Sequence, residues 1–257
     1  MRTISKLLAT AVTALGFASA GNAALIHDYQ LNGTLADALG GPSLVPINAG
    51  GPNGTIGATG FSFPFNSGLQ LSNGLPNGGN YSIEMTFSFD EVSSWRRIID
   101  FKDRATDRGL YDYFGGIQFY PFSTGASIFT PGGMVNIIAT RDGGTGAFNV
   151  YAGGLSILPG GIPLDDSVNN DAVFSAAGNL INFFRDDLAV PNEASSGFVD
   201  MIRIYDAPIT AVEARCLQTQ DPAACGIVLN NNVPEPGSLA LIGLGLAAMG
   251  AARRRKV

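Results

Sequence analysis

Tyr81-Ser82-Ile83-Glu84-Met85-Thr86-Phe87-Ser88-Phe89 alternates five apolar side chains with four polar ones. Side chains of a strand project to opposite faces in turn, so a period of two over this length predicts a half-buried β-strand. Shorter stretches of the same character occur on both sides, at 25–31, 61–65, 68–72, 96–101, 117–121, 134–140, 147–152, 180–184 and 198–205. Turn signals separate them: Asn53-Gly54, Asn73-Gly74, Asn77-Gly78-Gly79 and Asp142-Gly143-Gly144, the last expected to join 134–140 to 147–152 as a hairpin. One helix is expected. Thr210-Ala211-Val212-Glu213 has the capping-box spacing, in which hydroxyl and carboxylate each satisfy an orphan backbone N–H, and the helix would run to about Leu217. Many short strands with glycine-rich turns predict an all-β fold, an antiparallel two-sheet sandwich of about a dozen strands.

Composition narrows the chemistry. Gly (34) and Pro (14) make up about a fifth of the 257 residues, while 46% hydrophobic content is ample for a core. His27 is the one histidine, so nucleophile–histidine pairs and multi-histidine metal sites have almost nothing to use. With three lysines and a formal charge of −6, the chain lacks the basic face that nucleic-acid binding needs.

The two ends read as targeting segments. Residues 1–23 have the form of a signal peptide: Arg2 and Lys6, an apolar run over 7–17, then Ala18-Ser19-Ala20 and Gly21-Asn22-Ala23, with cleavage after Ala23 favoured. At the other end Val233-Pro234-Glu235-Pro236 precedes an apolar run over 237–252 and the cluster Arg253-Arg254-Arg255-Lys256. Sixteen helical residues reach about 24 Å, short of the roughly 30 Å hydrocarbon core, and snorkelling arginines would close the gap. The basic cluster would stop transfer and stay cytoplasmic. This tripartite arrangement resembles the PEP-CTERM sorting domain of Gram-negative bacteria. The resemblance implies recognition by an exosortase, which removes the tail on the way to the cell surface or extracellular matrix, in a setting of exopolysaccharide and biofilm. An uncut anchor is the plainer alternative. Without both ends, nine basic and twenty acidic residues remain, a charge of about −11, which repels anionic polymers.

The order of motifs between the ends resembles a LamG-like (concanavalin A-like lectin/glucanase) jelly roll. The matching residues are Leu31-Asn32-Gly33-Thr34-Leu35-Ala36-Asp37, the 81–89 strand, Ala139-Thr140-Arg141-Asp142, Val150-Tyr151-Ala152-Gly153 and Gly197 through Asp206. The resemblance implies two stacked antiparallel sheets, often with calcium and a carbohydrate or protein ligand, and no single activity. The expected organisation is a signal peptide (1–23), a jelly roll (24–217), a linker (218–232) and the sorting domain (233–257).

Candidate sites follow from residue type. A glycosidase of this fold needs two carboxylates about 5–5.5 Å apart for retention. The polar face of 81–89 offers only Glu84, with Asp90 and Glu91 out of pattern, so catalysis is disfavoured and Glu84 reads as a solvent-facing or hydrogen-bonded strand residue. Calcium takes six to eight oxygens. Asp186, Asp187 and Glu193 are the first candidate ligands and Asp165, Asp166 and Asp171 the second, against the plainer reading of solvated loop acids. No other cofactor is expected. Exposed aromatics stack on sugar rings, and Trp95, Tyr111 and Tyr113, in or beside loops, are the candidates; most other aromatics, like His27, read as packed residues. Cys216 and Cys225 are the only cysteines of a chain bound for an oxidising compartment and are expected to form a disulfide.

The leading function is a non-enzymatic surface or matrix protein that binds or organises polysaccharide. The alternatives are a secreted glycan hydrolase of the same fold and a structural matrix protein without a specific ligand. Expected partners are the general secretion machinery, the exosortase and an extracellular polysaccharide, with membrane contact only through the C-terminal helix before cleavage.

Overall fold

A computed structural model of the chain describes residues 23–122 and 124–229. The signal peptide, the sorting motif Val233–Pro236, the apolar run and the Arg253–Lys256 cluster lie outside the described residues.

Strands β1 (Ala24–Tyr29), β2 (Val45–Asn48), β3 (Thr55–Ile56), β4 (Phe61–Phe63), β5 (Ser67–Leu71) and β6 (Tyr81–Phe89) come first. A meander of β7 (Trp95–Asp100), β8 (Gly109–Tyr113), β9 (Gly116–Tyr120) and β10 (Thr124–Ser127) follows. β11 (Val135–Arg141) and β12 (Ala147–Ala152) form the expected hairpin, pairing Arg141 with Phe148 across the Asp142-Gly143-Gly144 turn. The chain continues through β13 (Leu155–Ser156), β14 (Leu164–Asp165), β15 (Ile181–Phe183), β16 (Gly197–Tyr205), α1 (Ala211–Leu217) and β17 (Val228–Leu229).

One sheet has the order β13-β12-β11-β6-β16-β1-β17, with β14 on β12 and the β3–β4 hairpin on β16. The other has the order β10-β9-β8-β7-β15-β5-β2. Among the described residues only the β1–β17 pair is parallel. The strand count exceeds the expected dozen because strands of two to four residues, such as β3, β13 and β14, carry too short a pattern to read.

The alternation in β6 is real, but the strand is not half-buried. Its apolar residues enter the core between the sheets, where Phe63 stacks on Phe184 at 4.5 Å and Phe87 lies 5.2 Å from the same ring. Its polar residues are buried too: Ser82, Glu84 and Ser88 have almost no exposed surface. The segment after β16 folds back over them. The Ser82 hydroxyl donates to the Ala207 carbonyl (2.8 Å) and accepts from Ile209 N–H (2.8 Å). A second cluster of Leu25, Ile138, Tyr205, Ile209, Ala214, Leu217 and Ile227 seals that face. Ser82 and Glu84 can be buried there because each finds a partner.

Helix α1 begins as its sequence dictates. The Thr210 hydroxyl accepts from Glu213 N–H and the Glu213 carboxylate accepts from Thr210 N–H, completing the capping box. Cys216 and Cys225 form a disulfide with Cα atoms 5.6 Å apart, holding the short 3₁₀ turn Pro222–Cys225 against α1. Beyond it β17 pairs with β1, Ala24 opposite Val228. The expected linker is therefore part of the fold as far as Leu229, and both core clusters and the disulfide close within residues 23–229. No helix among the described residues is long and apolar enough to cross a membrane.

Candidate functional site

The site is built on the outward face of β7, β8 and β9. Leu110, Ile117 and Phe119 enter the core, so the residues alternating with them face away from it. Cross-strand register then sets Trp95 beside Tyr113, Arg97 beside Tyr111 and Tyr120 beside Gly109. The Trp95 ring lies 4.0 Å from Tyr113, and meets Tyr111 (5.3 Å) and Tyr120 (5.5 Å) edge-on. Tyr111 and Tyr113 were expected in or beside loops, but both belong to β8. The strand is hard to read because its tyrosines point outward while Asp112 points inward. Tyr111 has no exposed surface and supports the site from beneath, whereas Trp95, Tyr113 and Tyr120 remain partly exposed.

Two loops fold over this face, 101–108 after β7 and 184–196 after β15. Asp100 organises the first, its Oδ1 accepting from Lys102 N–H (3.1 Å) and Arg104 N–H (2.7 Å). These bonds offset the left-handed backbone at Asp103 (φ 50°) and Arg104 (φ 62°), a conformation costly for residues with a Cβ. Asp186 organises the second, accepting from Glu193 N–H (2.8 Å) and Asp187 N–H (2.9 Å). The loops meet where Leu188 N–H donates to the Arg104 carbonyl (2.9 Å), and Arg97 N–H ties the second loop to β7 through the Glu193 carbonyl (2.9 Å).

Arg97 lies under both loops with no exposed surface. Its guanidinium stacks 4.1 Å over Tyr111, donates to the Arg108 carbonyl (3.0 Å) and pairs with Asp187, with Asp100 at 3.5 Å and Asp107 at 4.0 Å. Gly109 makes this possible, since a Cβ there would overlap the guanidinium.

Carboxylate oxygens of Asp107, Asp187 and Glu193 come within 4.8 Å of one another at the mouth of a cleft of about 190 Å³. Trp95, Asp107, Tyr120 and Glu193 line it. Tyr111 donates its hydroxyl to Asp107 Oδ1 (3.1 Å), whereas Glu193 Oε2 is out of solvent with no donor. Burial, then the charge of Asp107, pushes the Glu193 carboxyl up to about 7.

The expected calcium set is not assembled as such, because Asp107 stands where Asp186 was expected and Asp186 is spent on the loop backbone. Asp187 Oδ1 accepts from Ala189 and Val190 N–H and its Oδ2 is held by Arg97, which leaves Asp107 and Glu193 as the less committed carboxylates of the group. In the second acidic group Asp166 pairs with Arg141 at 2.8 Å and Asp171 accepts from Arg108 at 2.6 Å, while the exposed Asp165 accepts from Ser167 N–H (2.9 Å).

Sequence reasoning missed Arg97 and Asp107 as site residues, while Tyr120 was among the aromatics expected in the same stretch. The two free acids stand 86 residues apart on separate loops, and no local spacing joins them. Glu84 is far from a cleft, held by the Tyr205 hydroxyl (2.7 Å) and the Asn136 amide (3.1 Å) between β16 and β11. His27 is packed, its Nδ1 2.6 Å from Asp37 Oδ2, beside a second cavity of about 330 Å³ that has neither aromatic walls nor paired acids.

The C-terminal residues carry a separate function. Residues 232–256 match the PEP-CTERM protein-sorting motif. The chain is thus an exported protein with a C-terminal sorting signal, and the motif implies processing by an exosortase. No curated protein matches the sequence significantly. Among solved structures, domain 4 of the extracellular arabinanase AbnA from Geobacillus stearothermophilus, in complex with arabinotriose, is similar at 19% identity and a TM-score of 0.54. That match covers 76% of this chain and 98% of the other. A Trypanosoma rangeli sialidase mutant displaying trans-sialidase activity is similar at 11% identity and a TM-score of 0.57, covering 79% of this chain. This chain spans about a third (34%) of the sialidase chain. At these identities the likeness establishes the β-sandwich, jelly-roll-like fold.

Proposed function

We propose that this PEP-CTERM protein is a non-enzymatic glycan-binding protein of the cell surface or extracellular matrix, and that it recognises polysaccharide in the cleft between Trp95 and Tyr120. One observation carries the reading: a partly exposed aromatic wall lines one cleft together with the carboxyl groups of Asp107 and Glu193. A sugar ring offers matching chemistry, with C–H faces for the aromatics and hydroxyl donors for the carboxylates. The cleft lies below the roughly 300–1,000 Å³ of drug-sized sites, which suits one ring of a longer chain. Its acidity disfavours anionic polymers. The arabinotriose in the AbnA domain is in keeping with glycan recognition on this fold, and the sorting motif with an exopolysaccharide or biofilm setting on a Gram-negative surface. No metal is required.

A second reading, a glycan hydrolase, is favoured by the raised Glu193 carboxyl beside Asp107, since a general acid needs such a shift. Oxygens of the pair lie within 4.8 Å of one another, and the aromatic wall beside them favours binding.

The test is a glycan array with residues 24–232 and the Trp95→Ala variant. Reproducible binding that W95A abolishes is expected, and uniform failure to bind would leave the structural-matrix alternative. Release of reducing ends from a bound oligosaccharide would instead establish the hydrolase.

A further inference from the structure

We infer that the cleft selects amino sugars bearing a free ammonium group over neutral or N-acylated ones, with the ammonium between Asp107 and Glu193 and with Trp95 and Tyr120 as its aromatic walls. This rests on the glycan-binding reading and names the class of sugar.

Charge balance is the first ground. Asp100, Asp107, Asp186, Asp187 and Glu193 gather under the two loops, and Arg97 is the guanidinium paired with their side chains. Arg104 turns its Nε to the Asp186 carbonyl instead (3.0 Å). Arg97 lies nearest Asp187 and Asp100, with Asp107 at 4.0 Å, and Glu193 Oε2 has no donor among the described residues. A ligand hydroxyl would satisfy that oxygen but leave the charge of Asp107. An ammonium supplies three donors and the compensating charge together.

The lining is the second ground. Trp95 and Tyr120 offer ring faces, which attract cations, Trp most strongly. They offer almost no oxygen, so the cleft suits an organic cation better than a metal ion. N-acylation would remove the charge and add bulk to a cleft of about 190 Å³.

The titration of the pair agrees. Glu193, facing Asp107, Asp186 and Arg97, keeps a proton up to about pH 7 when the cleft is empty, and an ammonium would take the place of that proton.

The experiment compares three β-1,4-linked trisaccharides, of glucosamine, N-acetylglucosamine and glucose, by calorimetry on residues 24–232 at pH 6, where the amines are charged. The glucosamine trimer is expected to bind at least tenfold more tightly than the other two and to release protons on binding. Glu193→Gln, which keeps the shape, is expected to reduce that preference to about twofold or less, and Asp107→Asn to act likewise. Equal or tighter binding of a neutral trimer would overturn the inference while leaving the glycan-binding reading in place. A preference that survives both substitutions would also overturn it. No binding of any of the three would count against both.

Discussion

Arg97 shows how much of the site rests on one side chain. It is a fully buried cation whose removal would leave Asp187 and Asp100 charged and unpaired under two loops. Breaking a buried pair in this way costs about 3–5 kcal/mol, so Arg97→Met should lower the urea midpoint without changing its slope. Asp112 behaves differently. Burial pushes its carboxyl up to about 7, with Gly115 N–H and Arg96 only partly opposing the shift. The folded state then holds this proton more tightly than the unfolded chain does. Stability contributed here falls as pH rises from about 4 to about 7 and stays low above that. Asp112→Asn keeps an acceptor for Gly115 N–H, so the variant should melt higher than the parent at pH 8 and equally at pH 4. At this scale the sequence exposed Trp95 and Tyr113 through residue type alone. Arg97, Asp107 and Glu193 could not be joined, because their association depends on two loops meeting at Leu188 and Arg104.

Among the elements, those with a complete local signal were legible. β6 has nine alternating residues and α1 has both halves of its capping box, and each lies where its pattern puts it. Removing the cap with Thr210→Ala should cost about 0.5–2 kcal/mol. β8 was missed because Tyr111 packs outward on Arg97 and Trp95 and Asp112 is buried inward, the reverse of the usual pattern. The extent of the C-terminal fold was missed for another reason: β17 gains its stability from pairing with β1, at the far end of the sequence. The Cys216–Cys225 bridge sets up that pairing. Replacing both cysteines with serine should cost roughly 2–3 kcal/mol by freeing a short loop in the unfolded chain. Thermal melts of the oxidised protein and the double variant measure this, and amide exchange at Ala24 and Leu25 should rise in the variant.

Seen whole, the molecule sets the aromatic cleft and the approach to the sorting motif on different sheets. The aromatic cleft lies on the face of its sheet turned away from the core, while the chain leaves from β17 at the edge of the opposite sheet. Only residues 230–232 separate β17 from Val233, so a cut at Pro234-Glu235-Pro236 removes none of the described residues. The consequence can be measured. A chain ending at Asn232 should melt at the same temperature as the uncut protein, since it retains the disulfide, Ile227 and β17. One ending at Asp221 loses all three and should melt several degrees lower. The position of the native cut then follows from intact mass on protein recovered from the cell surface. We propose that Arg253–Lys256 stall the chain at the membrane, since each charge at the bilayer centre would cost roughly 2.5–3.5 kcal/mol, and that release follows their removal. A surface species lacking residues 237–257 is the expected result, and one retaining them would make the tail a permanent anchor.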